Sequence, residues 1–61
     1  MTLKEIKETN DIKFLDDMLG VVMTDYTRAK LFGDIKNMNK FTKEADAIEK
    51  RIQHLKKEIA E

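Results

Sequence analysis

The sequence predicts an all-α fold: an antiparallel helical hairpin of two long helices, with a short N-terminal helix, completed by oligomerisation. Three observations carry this. Apolar residues step by three and four over most of the chain, the helical period. Pro is absent and Gly occurs twice, while charged residues make up 39% and aromatics 7%, a balance that favours helices over strands. Finally, 61 residues form one small domain, 1–61. A chain of that size buries only about 60% of its unfolded surface and gains from a partner.

Residues 2–9 read as the short helix. Thr2 and Glu5 have capping-box spacing, and Met1 and Ile6 sit where a hydrophobic staple would put them. Thr9-Asn10-Asp11 offers a stop and a new cap, although the segment could also run straight through. From Asp11 onward Ile12, Leu15, Leu19, Val22, Tyr26 and Ala29 form one stripe, and Phe14, Met18 and Met23 widen it. A stripe so wide faces more than one neighbour. Val21-Val22 is a weak strand signal, outweighed by the helical period around it. Gly20 costs a helix about 1 kcal/mol relative to Ala. It reads equally as a point of close helix approach or as a tolerated surface glycine.

The phase then changes. The first stripe continued past Ala29 would reach Gly33 and Lys36, but the apolar residues are Leu31, Phe32, Ile35, Met38 and Phe41. The chain must bend or reverse between Lys30 and Thr42. Two turn sites compete. At LFGDI, Gly33 suits a left-handed residue and Asp34 the next N-cap. At NMNKFT, Asn37 and Asn39 act as breakers and Thr42 as the cap. The expectation is a helix over 11–32, a loosely helical link, and a final helix starting between Asp34 and Thr42. Rods of roughly 33 Å for 11–32 and roughly 28 Å for 42–60 match well enough for an antiparallel pair.

The last segment, FTKEADAIEKRIQHLKKEIA, repeats as a coiled-coil heptad. Ala45, Ile52 and Ile59 take position a; Phe41, Ile48 and Leu55 take d. If this helix pairs with a second copy, charge selects the direction. A parallel dimer sets Glu44 against Glu49 and Arg51 against Lys56, both repulsive; an antiparallel one sets Arg51 beside Glu58 and Glu49 beside Lys56. A homo-oligomer with antiparallel pairing is therefore favoured over a parallel one. The expected partner or oligomer interface is Leu19, Val22, Tyr26, Phe41, Ile48, Ile52, Leu55 and Ile59.

No enzyme motif is present: no Gly-rich phosphate loop, no HExxH, no nucleophile elbow. The chain is expected not to be an enzyme and to use no cofactor or metal. There is no Cys, and the one His, His54, falls at heptad position c as a surface residue. Asp16, Asp17 and Asp25 read as a solvated face, because catalytic carboxylates need a concave pocket. Tyr26 and the four Met residues read as core, with an adaptable Met-lined binding surface as the sharper alternative.

Net charge is zero, which argues against bulk attraction to nucleic acid or anionic membrane. No apolar run approaches the roughly 20 residues that span a bilayer. The polar start MTLKEIKETND is unlike a secretory signal. A cytoplasmic setting without membrane partners is expected. Charge is uneven, however: Arg28, Lys30, Lys36, Lys40 and Lys43 stand against Asp34 alone, with Phe32 and Phe41 interleaved. The expected function is a non-enzymatic protein-protein interaction module, a small adaptor, inhibitor or chaperone-like protein presenting an amphipathic helical surface to another protein. The rival is a small nucleic-acid-binding regulator using the patch 28–43.

GDIKNMNKFTKEADAIEKRI, residues 33–52, resembles the start of the second helix in the small helical-hairpin co-chaperones of type III secretion needle subunits. The shared features are the Gly-Asp turn, an aromatic eight residues after the Gly, and an Ala-Ile pair one turn on. The resemblance covers a third of the chain and implies a hairpin, with no function carried over. The Lys-, Asp-, Asn- and Ile-rich usage also suits a small phage or bacterial accessory protein.

Overall fold

Each helix starts where a short polar side chain can take an amide that the helix itself leaves unpaired. In the computed structural model, which describes residues 2–60, Thr2 Oγ1 accepts from Glu5 N at 3.2 Å and opens α1, Leu3–Glu8. The expected staple between Met1 and Ile6 lies outside the described residues. Thr9 closes α1, its hydroxyl donating to Glu5 O at 2.7 Å. The chain does not run straight through. Asp11 accepts from Phe14 N at 3.2 Å and opens α2, Ile12–Leu31.

The reversal falls at the first of the two competing sites. Gly33 takes φ 68°, a left-handed value that suits glycine. Asp34 then caps α3, Ile35–Ala60, accepting from Asn37 N at 3.2 Å and from Asn37 Nδ2 at 2.6 Å. There is no loose link, and Thr42 caps nothing. Asn37 and Asn39 are helical, and Thr42 sits mid-helix with its hydroxyl on Met38 O at 2.8 Å. Asn is only a mild helix opponent, so the turn goes where a φ-positive residue and a cap stand together. The final helix is thereby 26 residues, roughly 39 Å at 1.5 Å per residue rather than the expected 28. The phase change is explained too. Two helices on opposite sides of a reversal need share no register.

The stripes of α2 and α3 pack against each other, as expected of a hairpin. Leu15, Val22 and Ala29 are the buried positions of α2, seven residues apart. Ile48, Ile52 and Leu55 are the buried apolar positions of α3, and Glu44 is buried as well. The edge of that pair is then closed by the chain itself. α1 lies along α3, with Ile6 fully buried in the same apolar cluster as Leu15 and Ile48. Leu3 shares a cleft with Lys40 and Lys43, while Thr9 lies at Arg51, so α1 runs in the same sense as α3. A six-residue helix is too short to persist unaided. Packing through Ile6 and the Arg51 clamp hold it. Arg51 Nε donates to Thr9 O at 2.9 Å, and Nη2 to Asn10 Oδ1 at 2.6 Å. The result is an elongated body of 43 × 17 × 14 Å.

Gly20 is exposed, and a Cβ there would meet nothing within 4 Å. Among the described residues it is the surface glycine of the two readings, with no helix in contact with it.

Two sets of substitutions test this packing by denaturant unfolding. Ile48→Ala and Ile52→Ala each remove a buried branched side chain and are expected to cost about 2–5 kcal/mol, while exposed Gln53→Ala stays within about 0.5. The glycines should respond with opposite signs. Gly20→Ala gains roughly 0.5–1 kcal/mol from helix propensity, and Gly33→Ala loses about 1 kcal/mol or more at its positive φ.

Candidate interaction surfaces

On α3, Glu44, Ala47 and Arg51 turn toward α1. Asp46 stands on a ridge bordering both sides, while Thr42, Ala45 and Glu49 occupy other flanks of the helix. There, α2 and α3 leave an open groove of about 350 Å³, lined by Met23, Tyr26, Phe41, Thr42, Ala45, Asp46 and Glu49. Its floor is apolar. Met23 is 50% exposed, and Tyr26, Phe41 and Ala45 are half-buried. Its outer rim is acidic, through Asp46 and Glu49. Asp46 pairs with Lys50 at 3.0 Å, an exposed i,i+4 contact worth a few tenths of a kcal/mol at most.

The residues expected to form a partner interface divide into three groups. Val22, Ile48, Ile52 and Leu55 are buried within the chain, under α2 and α1. The heptad seam is thus filled from inside. An α3–α3 pair through that seam, in either direction, would have to displace α1 and α2. Leu19, Tyr26 and Phe41 are half-buried, Leu19 against the core and the other two in the groove. Ile59 is 75% exposed, because α3 is six residues longer than α2 and its end projects past it.

The basic stretch 28–43 also divides. Lys36, Lys40 and Lys43, spaced four and three apart, gather on one face of α3 around Leu3 and Asn39. Arg28 lies in a separate cleft with Asp25, Asp34 and Phe32. Lys30, two residues further along α2, points to the other side of that helix. What sequence reasoning missed is an extension of the basic face. The cleft between α1 and α3 adds Lys7, Lys50, Arg51 and His54 to Lys43, with Asp46 also on its wall and paired with Lys50. The only local signal was the cap-stop-cap pattern of residues 2–11, which allowed a separate helix without saying where it docks.

His54 sits at the rim of that cleft with its Nε2 2.9 Å from Glu58 Oε1. Asp17 and Asp25 border a shallow depression over Gly20, Val21 and Thr24. Asp16 is exposed. Among the described residues no three His, Cys, Asp or Glu side chains converge as metal ligands would. No helix among them is long and apolar enough to cross a membrane.

Comparison with known protein families, with curated proteins and with solved structures finds no match. The resemblance of residues 33–52 to needle co-chaperones therefore stays local: it concerns a Gly-Asp turn and the helix that follows, both present here.

Arg51→Ala removes both bonds to the α1–α2 junction. Hydrogen bonds from a charged donor contribute about 1.5–3 kcal/mol each when well shielded, less for the exposed contact to Asn10. Hydrogen exchange should then speed up at the Ile6 amide of α1 while the amides of Leu15 and Ile48 keep their protection. Uniform acceleration across all three helices would show that Arg51 supports the whole core rather than α1 alone.

Proposed function

We propose that the chain is a non-enzymatic interaction module whose α2/α3 groove receives a helical segment of another protein. The groove itself is the observation that carries this reading. Met23, Tyr26, Phe41 and Ala45 form an apolar strip between two parallel ridges, the shape that accepts side chains at i, i+3, i+4 and i+7 of an amphipathic helix. Methionine and tyrosine suit it, the first by adapting to shape and the second by pairing an apolar ring with a polar tip. Asp46 and Glu49 favour an incoming helix with Lys or Arg flanking its apolar anchors. Such a helix would turn three helices into a four-helix arrangement. A second copy of this chain is one occupant in scope. Adaptor, inhibitor or chaperone-like roles in a phage or bacterial cytoplasm fit a module of this size.

One observation favours a second reading, a nucleic-acid-binding regulator. Lys7, Lys36, Lys40 and Lys43 line two adjoining clefts along α1 and α3, outnumbering Glu44, which is buried, and Asp46, which is paired with Lys50. Phosphate contacts of that kind weaken steeply with salt.

The two readings separate cleanly. Under the first, affinity capture from host extract retains one stoichiometric protein, and Met23→Glu loses it while circular dichroism stays helical. Lys36→Glu with Lys40→Glu leaves that capture unchanged. Under the second, the lysine pair abolishes a strongly salt-dependent RNA or DNA complex, and Met23→Glu does not. Sedimentation at increasing protein concentration identifies the case in which the captured protein is the chain itself.

A further inference from the structure

The hairpin tip concentrates apolar exposure. Leu31, Phe32 and Ile35 are 80%, 82% and 69% exposed. They stand within five residues of one another, at one end of a 43 Å body. Three large apolar side chains so exposed and so close in sequence mark a candidate interaction site. We infer that this tip docks peripherally on an anionic lipid surface, with Leu31, Phe32 and Ile35 entering the interface and Arg28, Lys30, Lys36 and Lys40 meeting the headgroups.

Three features select that occupant. The first is depth. Arg28 precedes Phe32 by one helical turn and Lys40 follows Ile35 by five residues, so these two stand roughly 6–8 Å behind the apolar residues at 1.5 Å per residue. Lys30 and Lys36 adjoin Leu31 and Ile35 and reach the headgroups by their long stems. Interfacial apolar groups sit about 5–10 Å into the headgroup and acyl boundary. The cations would then reach headgroup level, with long stems free to extend along the surface.

The second is direction. Arg28 and Lys30 point to opposite sides of α2, and Lys36 and Lys40 belong to a further face on α3. Charge around the tip on several sides suits a plane of negative charge better than the acidic rim of a single protein pocket. Two carboxylates, Asp25 and Asp34, share the Arg28 cleft and offset that cation, Asp34 lying in the turn itself between Phe32 and Ile35. The net positive charge facing the surface is therefore carried by Lys30, Lys36 and Lys40. The Asp34 carboxylate is engaged by the Asn37 amide and side chain.

The third is the backbone. An apolar medium penalises unpaired amides. At the tip, Phe32 N donates to Arg28 O at 3.2 Å, Gly33 N to Lys30 O at 3.2 Å, Asp34 N to Ala29 O at 2.9 Å, and Ile35 N to Gly33 O at 3.1 Å. The turn can enter such a medium without leaving these four donors unpaired. Zero net charge over the whole chain does not oppose this, because attraction to a charged surface acts over about a Debye length, roughly 10 Å, and is set by the charges near it. The contact is peripheral and independent of the groove on the body.

The chain has no Cys, so Leu31→Cys can carry a single environment-sensitive fluorophore, with Lys57→Cys as the control at the far end. Each is titrated with vesicles of phosphatidylcholine alone or with one third phosphatidylglycerol, beside co-sedimentation of the unlabelled chain. The expected result is a blue shift of the tip label only, with the anionic vesicles only, reversed by high salt. Phe32→Ser should weaken co-sedimentation on the order of tenfold. Lys30→Glu with Lys36→Glu should abolish the preference for anionic lipid, both variants keeping their helical spectrum. The inference is overturned by no binding to anionic vesicles at low salt, by equal shifts at both labels, or by co-sedimentation that Phe32→Ser leaves intact. A tip label that ignores vesicles yet shifts when a protein partner is added would assign the tip to that protein and overturn it as well.

Discussion

Among the described residues three side chains, one from each helix, are fully closed off from water: Ile6, Leu15 and Ile48. Their common cluster is the constraint on which the rest depends. A two-helix hairpin has a single interface and two open edges. Adding one branched side chain from α1 turns a line of contacts into a packed interior. Burying such a residue fully contributes about 1.5–3 kcal/mol, a sizeable fraction of what so small a domain can hold in total. α1 is therefore best understood as an edge seal. Oligomerisation was the expected source of that seal, and on one flank the chain provides its own.

The seal makes the molecule asymmetric. One side of the hairpin is covered and mainly basic, with Lys7 and Lys43 around the α1–α3 cleft and Lys50 paired there with Asp46, which stands on the ridge between the two sides. Another keeps an apolar strip open beneath Asp46 and Glu49. A chain of zero net charge thus carries faces of opposite character. What it can meet depends on orientation rather than on total charge.

Much of this was legible locally. The caps at Thr2, Asp11 and Asp34 and the glycine at 33 are side-chain chemistry acting on the next few amides, and such chemistry is readable in a short window. So is the facing of α2 and α3, since both periods are long and regular. The ambiguity at Asn37–Thr42 arose because Asn and Thr are permissive: they start helices when nothing else does and are carried inside them when a stronger cap precedes. Thr42 shows how, returning its hydroxyl to Met38 O. The heptad in α3 was real, but a heptad states only that a stripe will be covered. It does not say whether the cover is a second copy or residues 3–31 of the same chain. Ile59 shows the converse. It keeps the register but has no facing helix, because the length of α2 is fixed by a cap at Asp11 that the pattern of α3 does not contain. The docking of α1 was out of reach, as Arg51 and Thr9 stand 42 residues apart.

That separation also fixes an order of events. The α2/α3 hairpin closes across a turn of a few residues, a short loop with little entropy to lose, and contacts of that kind form early. The seat for Ile6 exists only after the hairpin has zipped, and Arg51 reaches the Thr9 carbonyl only then. Of the three helices α1 is made before α3, yet the surface it docks on is completed only by α3. A six-residue helix held by one buried side chain and one arginine is thereby the element with the least to lose on detaching, and its docking depends on the hairpin rather than the reverse.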